Sequence, residues 1–337
     1  MRLRLMVCVF VCVATAWAIA WPGSSTLKAD DAEDHYNEGI GLQARGDLDA
    51  AVTEYRKAVE LRPDYADAHL KLAIGLHLKG DLDAAIAEYR QALRLKSTDD
   101  ALAHADLGIA LAARGDLDGA AAEQRESIRL KPERPETHNN LGITLRRKGD
   151  VDGAIAEYEE ALRLEPGYAE ALNNLGNALT ARNDWSGAVE RYRDALRLKP
   201  DYSDAHNNLG IALAHRGDLK GAEAEYHTAL GIAPGSVKVH YNLAMALKAE
   251  GDLDGAVAEY RQAIALDPGY ADAHNNLGAV LKLQSKYDAA AEEFRQALAL
   301  RPGDSALRDN LASALAELTR LKHRSKVAEN GAGDPVE

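Results

Sequence analysis

Apolar and small residues return along this chain with a period of 34, closely enough to number the positions inside each period. Counted from Ala32, the repeats are 32–65, 66–99, 101–134, 135–168, 169–202, 203–236, 237–270 and 271–304, with Asp100 inserted between the second and third. Positions four, seven, eight and eleven have the i, i+3, i+4, i+7 spacing of one buried helix face. Position eleven is Leu in all eight repeats, from Leu42 to Leu281, and position eight is always Gly or Ala. Position twenty is Ala throughout, from Ala51 to Ala290. Side chains that small mark places where two helix backbones approach closely. Gly-Asp at positions fifteen and sixteen, as in Gly46-Asp47 and Gly149-Asp150, predicts a turn between two helices. Gly suits the left-handed residue that ends the first helix, and Asp at position eighteen is expected to cap the second. Seven of the ten prolines stand at position thirty-two, Pro63 to Pro302, and punctuate the repeats.

The second helix carries an AxAEYRQAL pattern with Tyr55, Tyr89, Tyr158, Tyr192, Tyr226 and Tyr260 at position twenty-four. With the small and proline positions, this pattern resembles tetratricopeptide repeats. The resemblance implies an all-α fold, a right-handed α-solenoid of eight helix-turn-helix repeats across 32–304. Repeat three departs most, with Gln124 in place of the tyrosine and Ser127 in place of an alanine, and is expected to be the softest joint. Repeat five has Asn183 for the turn glycine and repeat eight has Ser285-Lys286. Residues 305–326 continue the first-helix pattern through Leu307, Leu311, Leu315 and Leu318, which reads as a capping helix over the last open repeat. Residues 21–31 read as a linker and 327–337 as a disordered, polar tail.

The first twenty residues change the picture of where the repeats work. Arg2 and Arg4 precede an apolar run, Leu5 to Trp21, that contains Ala18-Ile19-Ala20, the pattern of a secretory signal peptide with its cleavage site. The expectation is an extracytoplasmic protein, periplasmic or secreted. The run also reaches the lower limit for spanning a bilayer, ~17 residues, so an uncleaved membrane anchor is the alternative. Cys8 and Cys12 both lie in this run, which leaves the repeats without disulfide or thiol chemistry. The net charge of −13 argues against a nucleic-acid partner, which needs clustered Lys and Arg.

Three constellations invite chemistry. Seven histidines occupy position four: His35, His69, His104, His138, His206, His240 and His274. Equivalent positions in stacked helices stand ~8–10 Å apart, too far to converge on one metal ion, so no metal or other cofactor is expected. The DLDG and DVDG stretches at 116–119, 150–153 and 252–255 evoke a calcium loop. Counted from Asp116, however, Ala121 stands where the loop glycine should be and Ser127 where the bidentate Glu should be. The third constellation is HNNLG, at 138–142, 206–210 and 274–278, whose second Asn is position six.

Asn recurs at position six as Asn37, Asn140, Asn174, Asn208, Asn242, Asn276 and, in the cap, Asn310; Lys71 and Asp106 stand there in repeats two and three. Position six shares a helix face with positions two, nine and thirteen, opposite the buried stripe. An exposed amide has little packing value, but its donor and acceptor pair well with a peptide backbone. The ladder resembles that of the superhelical repeat region of O-linked N-acetylglucosamine transferases, which implies an extended partner segment held in a concave groove. Drift of a duplicated neutral residue is the alternative. Arg146, Arg147, His215, Lys248 and Lys282 lie deeper in the expected groove, and Arg146 and Arg147 favour an acidic segment. Asn177, Asn208 and Lys238 also match three positions of the carboxylate clamp of chaperone adaptors, while Asn173 and Asn242 stand where that clamp has cations.

The expected function is therefore a non-catalytic scaffold for protein or peptide segments. The alternatives are an anchored assembly factor of an envelope or secretion machine and the repeat part of a glycosyltransferase-like system. Only 305–337 follows the repeats, too short for a nucleotide-sugar domain, and no Walker loop, GxSxG, HExxH or CxxC motif appears.

Overall fold

Each repeat carries two apolar stripes, and each stripe is buried by folding the repeat back on itself as two antiparallel helices. The computed structural model describes residues 22–331, with side chains from 30 to 324. The expected signal segment, 1–20, lies outside the described residues. Among those residues the structure is helices and turns without a strand, and no helix is long and apolar enough to cross a membrane.

The chain divides into two compact stacks, one ending at Pro132 and one beginning at Glu133. The first holds repeats one to three as the hairpins α1 (Pro22–Ala44)/α2 (Leu48–Leu61), α3 (Ala66–Leu78)/α4 (Leu82–Leu95) and α5 (Asp100–Arg114)/α6 (Leu117–Leu130). The second opens with α7 (Pro135–Lys148)/α8 (Val151–Leu164), α9 (Ala169–Ala181)/α10 (Trp185–Leu198) and α11 (Ser203–His215)/α12 (Leu219–Ile232). It continues with α13 (Val237–Glu250)/α14 (Leu253–Leu266) and α15 (Ala271–Leu283)/α16 (Tyr287–Leu300), and ends with α17 (Ser305–Gly331). Within each stack every hairpin packs on the next, with a connected core from Ala51 to Ala120 in the first and from Ala188 to Ala314, over α10 to α17, in the second. Leu307 and Ala314 bury the inner face of α17.

Two boundaries differ from the sequence reading. Residues 22–31, expected as a linker, form the opening turns of α1; Pro22 sits at the first helical position, where its missing N–H costs nothing. At the other end α17 continues to Gly331, five residues into the expected tail, with no breaker before that glycine. Residues 332–337 lie outside the described residues.

The small residue at position eight is explained by the aromatic ring at position twenty-four. A Cβ added to Gly176 would stand 2.5 Å from the Tyr192 ring, and one on Gly142 2.6 Å from that of Tyr158. The ring lies directly on the helix backbone, which brings the two helices of a hairpin together. Turn glycines such as Gly149 and Gly251 adopt φ near +90°, and Asn183 and Ser285 take the same left-handed region in repeats five and eight.

The helix cap lies two positions earlier than expected. Asp at position sixteen, not eighteen, is the N-cap: Asp47, Asp81, Asp116, Asp150, Asp184, Asp218 and Asp252 each accept from the backbone N–H three residues on. Residue seventeen is already helical, so the residue before it is the one whose carboxylate reaches an orphan N–H; such caps contribute ~0.5–2 kcal/mol each. The Asp at position eighteen joins neighbouring repeats instead. Asp49 meets Lys79, Asp83 meets Arg114 at 3.2 Å and Asp152 meets Arg182 at 3.3 Å.

The histidines are hydrogen-bond partners within the hairpin. Each of the seven places Nδ1 within 2.5–2.7 Å of the Glu at position twenty-three on the partner helix, as in His69–Glu88 and His240–Glu259. In His69, His206, His240 and His274 the second ring nitrogen meets the carbonyl of Pro63, Pro200, Pro234 and Pro268, tying the repeat to the turn before it. Repeat five lacks both members: Leu172 replaces the histidine, and Arg191 replaces the glutamate and pairs with Asp194.

Candidate binding groove

The position-six asparagines do not simply face solvent, as their helix-face position suggests. In the second stack they are half-buried, and from repeat five onward each donates its side-chain N–H to position five of the preceding repeat. Asn174 donates to Asn139 Oδ1 at 2.9 Å, Asn208 to Asn173 at 3.0 Å, Asn242 to Asn207 at 2.9 Å and Asn310 to Asn275 at 2.9 Å. Asn276 donates to the Tyr241 hydroxyl at 2.7 Å, because repeat seven has Tyr at position five. Asn139, Asn173 and Asn207 are buried, so these bonds satisfy polar groups that would otherwise be orphaned. The reason lies in rotation: position six stands at the flank of its helix, where the stack sets it beside the preceding repeat. One N–H of each such Asn is engaged in this way.

Asn37, in repeat one, is exposed, and Asn140 is half-buried; neither makes a ladder bond. Asn177 differs again: its Oδ1 accepts from the Tyr192 hydroxyl at 2.7 Å. Burial pushes that hydroxyl well above the ordinary phenol range, so it remains a donor. The first Asn of HNNLG and the Glu at position twenty-three were missed as participants. For the glutamate the signal was present in the chain, since Leu172 replaces the histidine and Arg191 the glutamate together in repeat five.

The second stack gathers several groove residues around one polar hollow of about 660 Å³. Its lining includes Arg146 from α7, Asn173, Asn174, Asn177 and Thr180 from α9, Asp204 and Asn208 from α11, and Lys238 from α13. Lys238 lies 3.4 Å from Asp204, an exposed pair. Arg146 is half-buried, its Nε is buried without a hydrogen-bond partner, and no carboxylate lies within ion-pair distance of it. A guanidinium in this condition is an anchor for an acidic group, which it can grip through two parallel N–H bonds. Arg147, one residue on, is exposed and does not line the hollow, since adjacent helical residues diverge by about 100°.

Beyond this hollow, α11, α12 and α13 line a smaller apolar one of about 270 Å³ with Ile211, Ala214, Leu219, Met245, Ala246 and Ala249. Met245 and Lys248 also line the next hollow with Asn276, and Lys248 and Lys282 line the one after it with Asn310. In the first stack, His35, Glu38 and Glu54 bring possible metal-ligand atoms within 4.8 Å of one another. Lys57 already lies 2.7 Å from Glu54, so that cluster carries its own cation.

A family profile described as TPR repeat matches 42–74, 75–115, 144–179, 176–217 and 244–285, and one described as tetratricopeptide repeat matches 271–304. Together they cover more than half of the chain. The chain belongs to the tetratricopeptide-repeat family. Solved structures agree on the fold. The hetero-tetramer Cut9-Hcn1 of APC/C aligns with TM-score 0.60 at 19% identity, over 82% of this chain and 55% of that one. This chain thus spans about half the length of that protein. A tetratricopeptide-repeat protein from Parabacteroides merdae aligns with TM-score 0.59 at 17% identity, over 74% of this chain and 99% of that one. PilF of Pseudomonas aeruginosa aligns with TM-score 0.57 at 23% identity, over 65% of this chain and 100% of that one. No curated protein matches the sequence. As a tetratricopeptide-repeat protein, the chain is read as an interaction scaffold.

Proposed function

We propose that this tetratricopeptide-repeat protein is an exported, non-catalytic scaffold whose second stack holds an extended, acidic segment of another protein. One observation carries the reading: Arg146 lies in an amide-lined hollow with its Nε unpartnered and no carboxylate beside it. The remaining N–H groups of Asn174 and Asn208 would hold the partner's backbone, and Arg146 would select a carboxylate. The ladder bonds to Asn139 and Asn173 fix the rotamers of those amides beforehand, which lowers the ordering cost of binding.

The test is a titration of a fluorescein-labelled peptide of alternating Glu and Ser onto the full chain, followed by anisotropy. Arg146→Glu is expected to weaken binding by tenfold or more, the loss of about 1.4 kcal/mol, without lowering the melting temperature. Equal affinity in the two proteins would end the acidic-segment reading. Export rests on the Arg2–Ala20 pattern and is tested separately. Mass spectrometry in the native host is expected to find a chain beginning near Trp21, whereas intact Met1 in the membrane fraction would favour the anchor.

A further inference from the structure

Position twelve of the first helix reads Arg146, Thr180, Ala214, Lys248, Lys282 through repeats four to eight. The cations bracket a gap. Ala214 is the only one of these five whose side chain ends at Cβ, and the room above it is the apolar hollow lined by Ile211, Met245 and Ala246. Met245 stands at its rim, 48% exposed. Its other side is held in place by a stack, since the His215 ring lies parallel to that of Trp185 with centroids 3.9 Å apart.

The cations on either side are not ion-paired: Arg146 meets the Tyr158 hydroxyl, and Glu317, which lines the hollow of Lys248 and Lys282, pairs with Arg320. Neither Arg146 nor Lys248 has a carboxylate within ion-pair distance among the described residues, and Lys282 bonds only the Ser313 hydroxyl, at 2.7 Å. The neighbouring Lys199, Lys220 and Arg301 pair with carboxylates. The hollows adjoin. On α11, Asn208 lines the polar one and Ile211, nearly a turn later, the apolar one; Met245 and Lys248 carry the surface on to Asn276.

We infer that the segment bound here has one large apolar residue flanked on both sides by acidic residues. This rests on the groove reading of the preceding subsection and adds the partner's pattern. The apolar side chain enters the hollow over Ala214, one acidic group meets Arg146, and others meet Lys248 and Lys282. Neighbouring first helices stand ~8–10 Å apart, which an extended chain covers in about three residues. The first acidic residue therefore lies about six residues from the apolar one, and the next acidic residue about three residues beyond it.

The probe is a Ser-based, fluorescein-labelled peptide with Glu, Leu, Glu and Glu at these spacings, made in both chain directions and titrated onto the full-length protein. Its control has Ser in place of Leu. The Leu peptide is expected to bind about tenfold tighter than its control, in one of the two directions. Ala214→Leu fills the hollow from within and is expected to abolish that difference while leaving the control's affinity unchanged. Lys248→Glu is expected to weaken both peptides. If Leu and Ser peptides bind alike to the wild type while Arg146→Glu still weakens both, the apolar subsite is overturned and the acidic groove stands. If neither peptide binds, or Arg146→Glu changes nothing, the groove reading falls and this inference with it.

Discussion

Repeats four to eight and repeats one to three are built from the same hairpin, yet they are joined to their neighbours differently. In the second stack five amides cross from one repeat to the one before, from Asn174 to Asn310. In the first stack position five is Tyr36, Leu70 and Ala105, and position six is Asn37, Lys71 and Asp106, so no amide row can form. The first stack also carries a defect inside a hairpin. Gln124 replaces the ring at position twenty-four, is 1% exposed, and leaves its Oε1 buried without a partner. Ser127 beside it is better placed, since its hydroxyl donates to the Ala101 carbonyl at 2.7 Å. One stack thus joins its repeats through side-chain amides and the other does not, while buried polar atoms without a partner occur in both, Gln124 Oε1 in the first and the Tyr260 hydroxyl in the second. Stacked repeats contact only their neighbours, so such differences stay local rather than averaging over the chain.

The largest expected contrast is at position twenty-four. Tyr192→Ala removes a fully buried ring and should destabilise the second stack by ~3–5 kcal/mol. Gln124→Ala removes an unsatisfied buried amide and should be close to neutral. Hydrogen exchange resolved by helix, with denaturant unfolding, reads both; equal losses would show that Gln124 packs as well as a tyrosine. Next comes the ladder. Asn174, Asn208 and Asn242 changed together to Ala should cost the second stack about 1.5–4.5 kcal/mol, at ~0.5–1.5 kcal/mol for each lost hydrogen bond. Asn37→Ala with Lys71→Ala should leave the first stack's protection unchanged. An unchanged melting curve for the triple variant would mean that the amides contribute nothing across repeats. It would return the ladder to the solvent-facing role suggested by its helix position.

The smallest effect is with pH. Burial lowers the His69 pKa, but its bonds to Glu88 and to the Pro63 carbonyl outweigh this and hold it above the ordinary imidazole value, with Arg94 opposing weakly. A raised folded value means that stability is fully present below the unfolded pKa and is lost as pH rises through the folded one. His69 should therefore stabilise the first stack less at pH 8 than at pH 6, against the opposite contribution of His77, whose burial holds its pKa below the ordinary imidazole value. His69→Gln should remove the His69 contribution, so that its melting temperature falls less, or rises more, from pH 6 to pH 8 than that of the wild type. Thermal melts of both proteins at the two pH values check it, and an identical pH dependence in the two would contradict the assignment.

The groove was partly legible. Asn174, Asn208 and Arg146 were named from helix-face arithmetic and do line one hollow. Asn177, named from its match to the carboxylate clamp, also lines the hollow but is engaged by Tyr192, and Arg147 does not line it. A helical wheel assigns a face but no neighbour, and the neighbour decides whether a polar atom is available.

The sequence by itself determined the hairpins and their joints: the period of 34, the Leu and Ala stripes, the turn glycines and the prolines at position thirty-two. These are local matters, settled within a few residues by backbone conformation and by which helix face is apolar. Which polar atoms meet was decided only by the tertiary structure. The caps lie three residues from their donors, the His–Glu pairs span nineteen residues, and the asparagine bonds span thirty-five. Hydrogen bonds of this kind require ~2.7–3.2 Å, and a small rotation of one stacked helix makes or breaks them. That rotation is set by rings such as Tyr192 seated on Gly176, which fix how closely, and at what angle, one helix lies on the next.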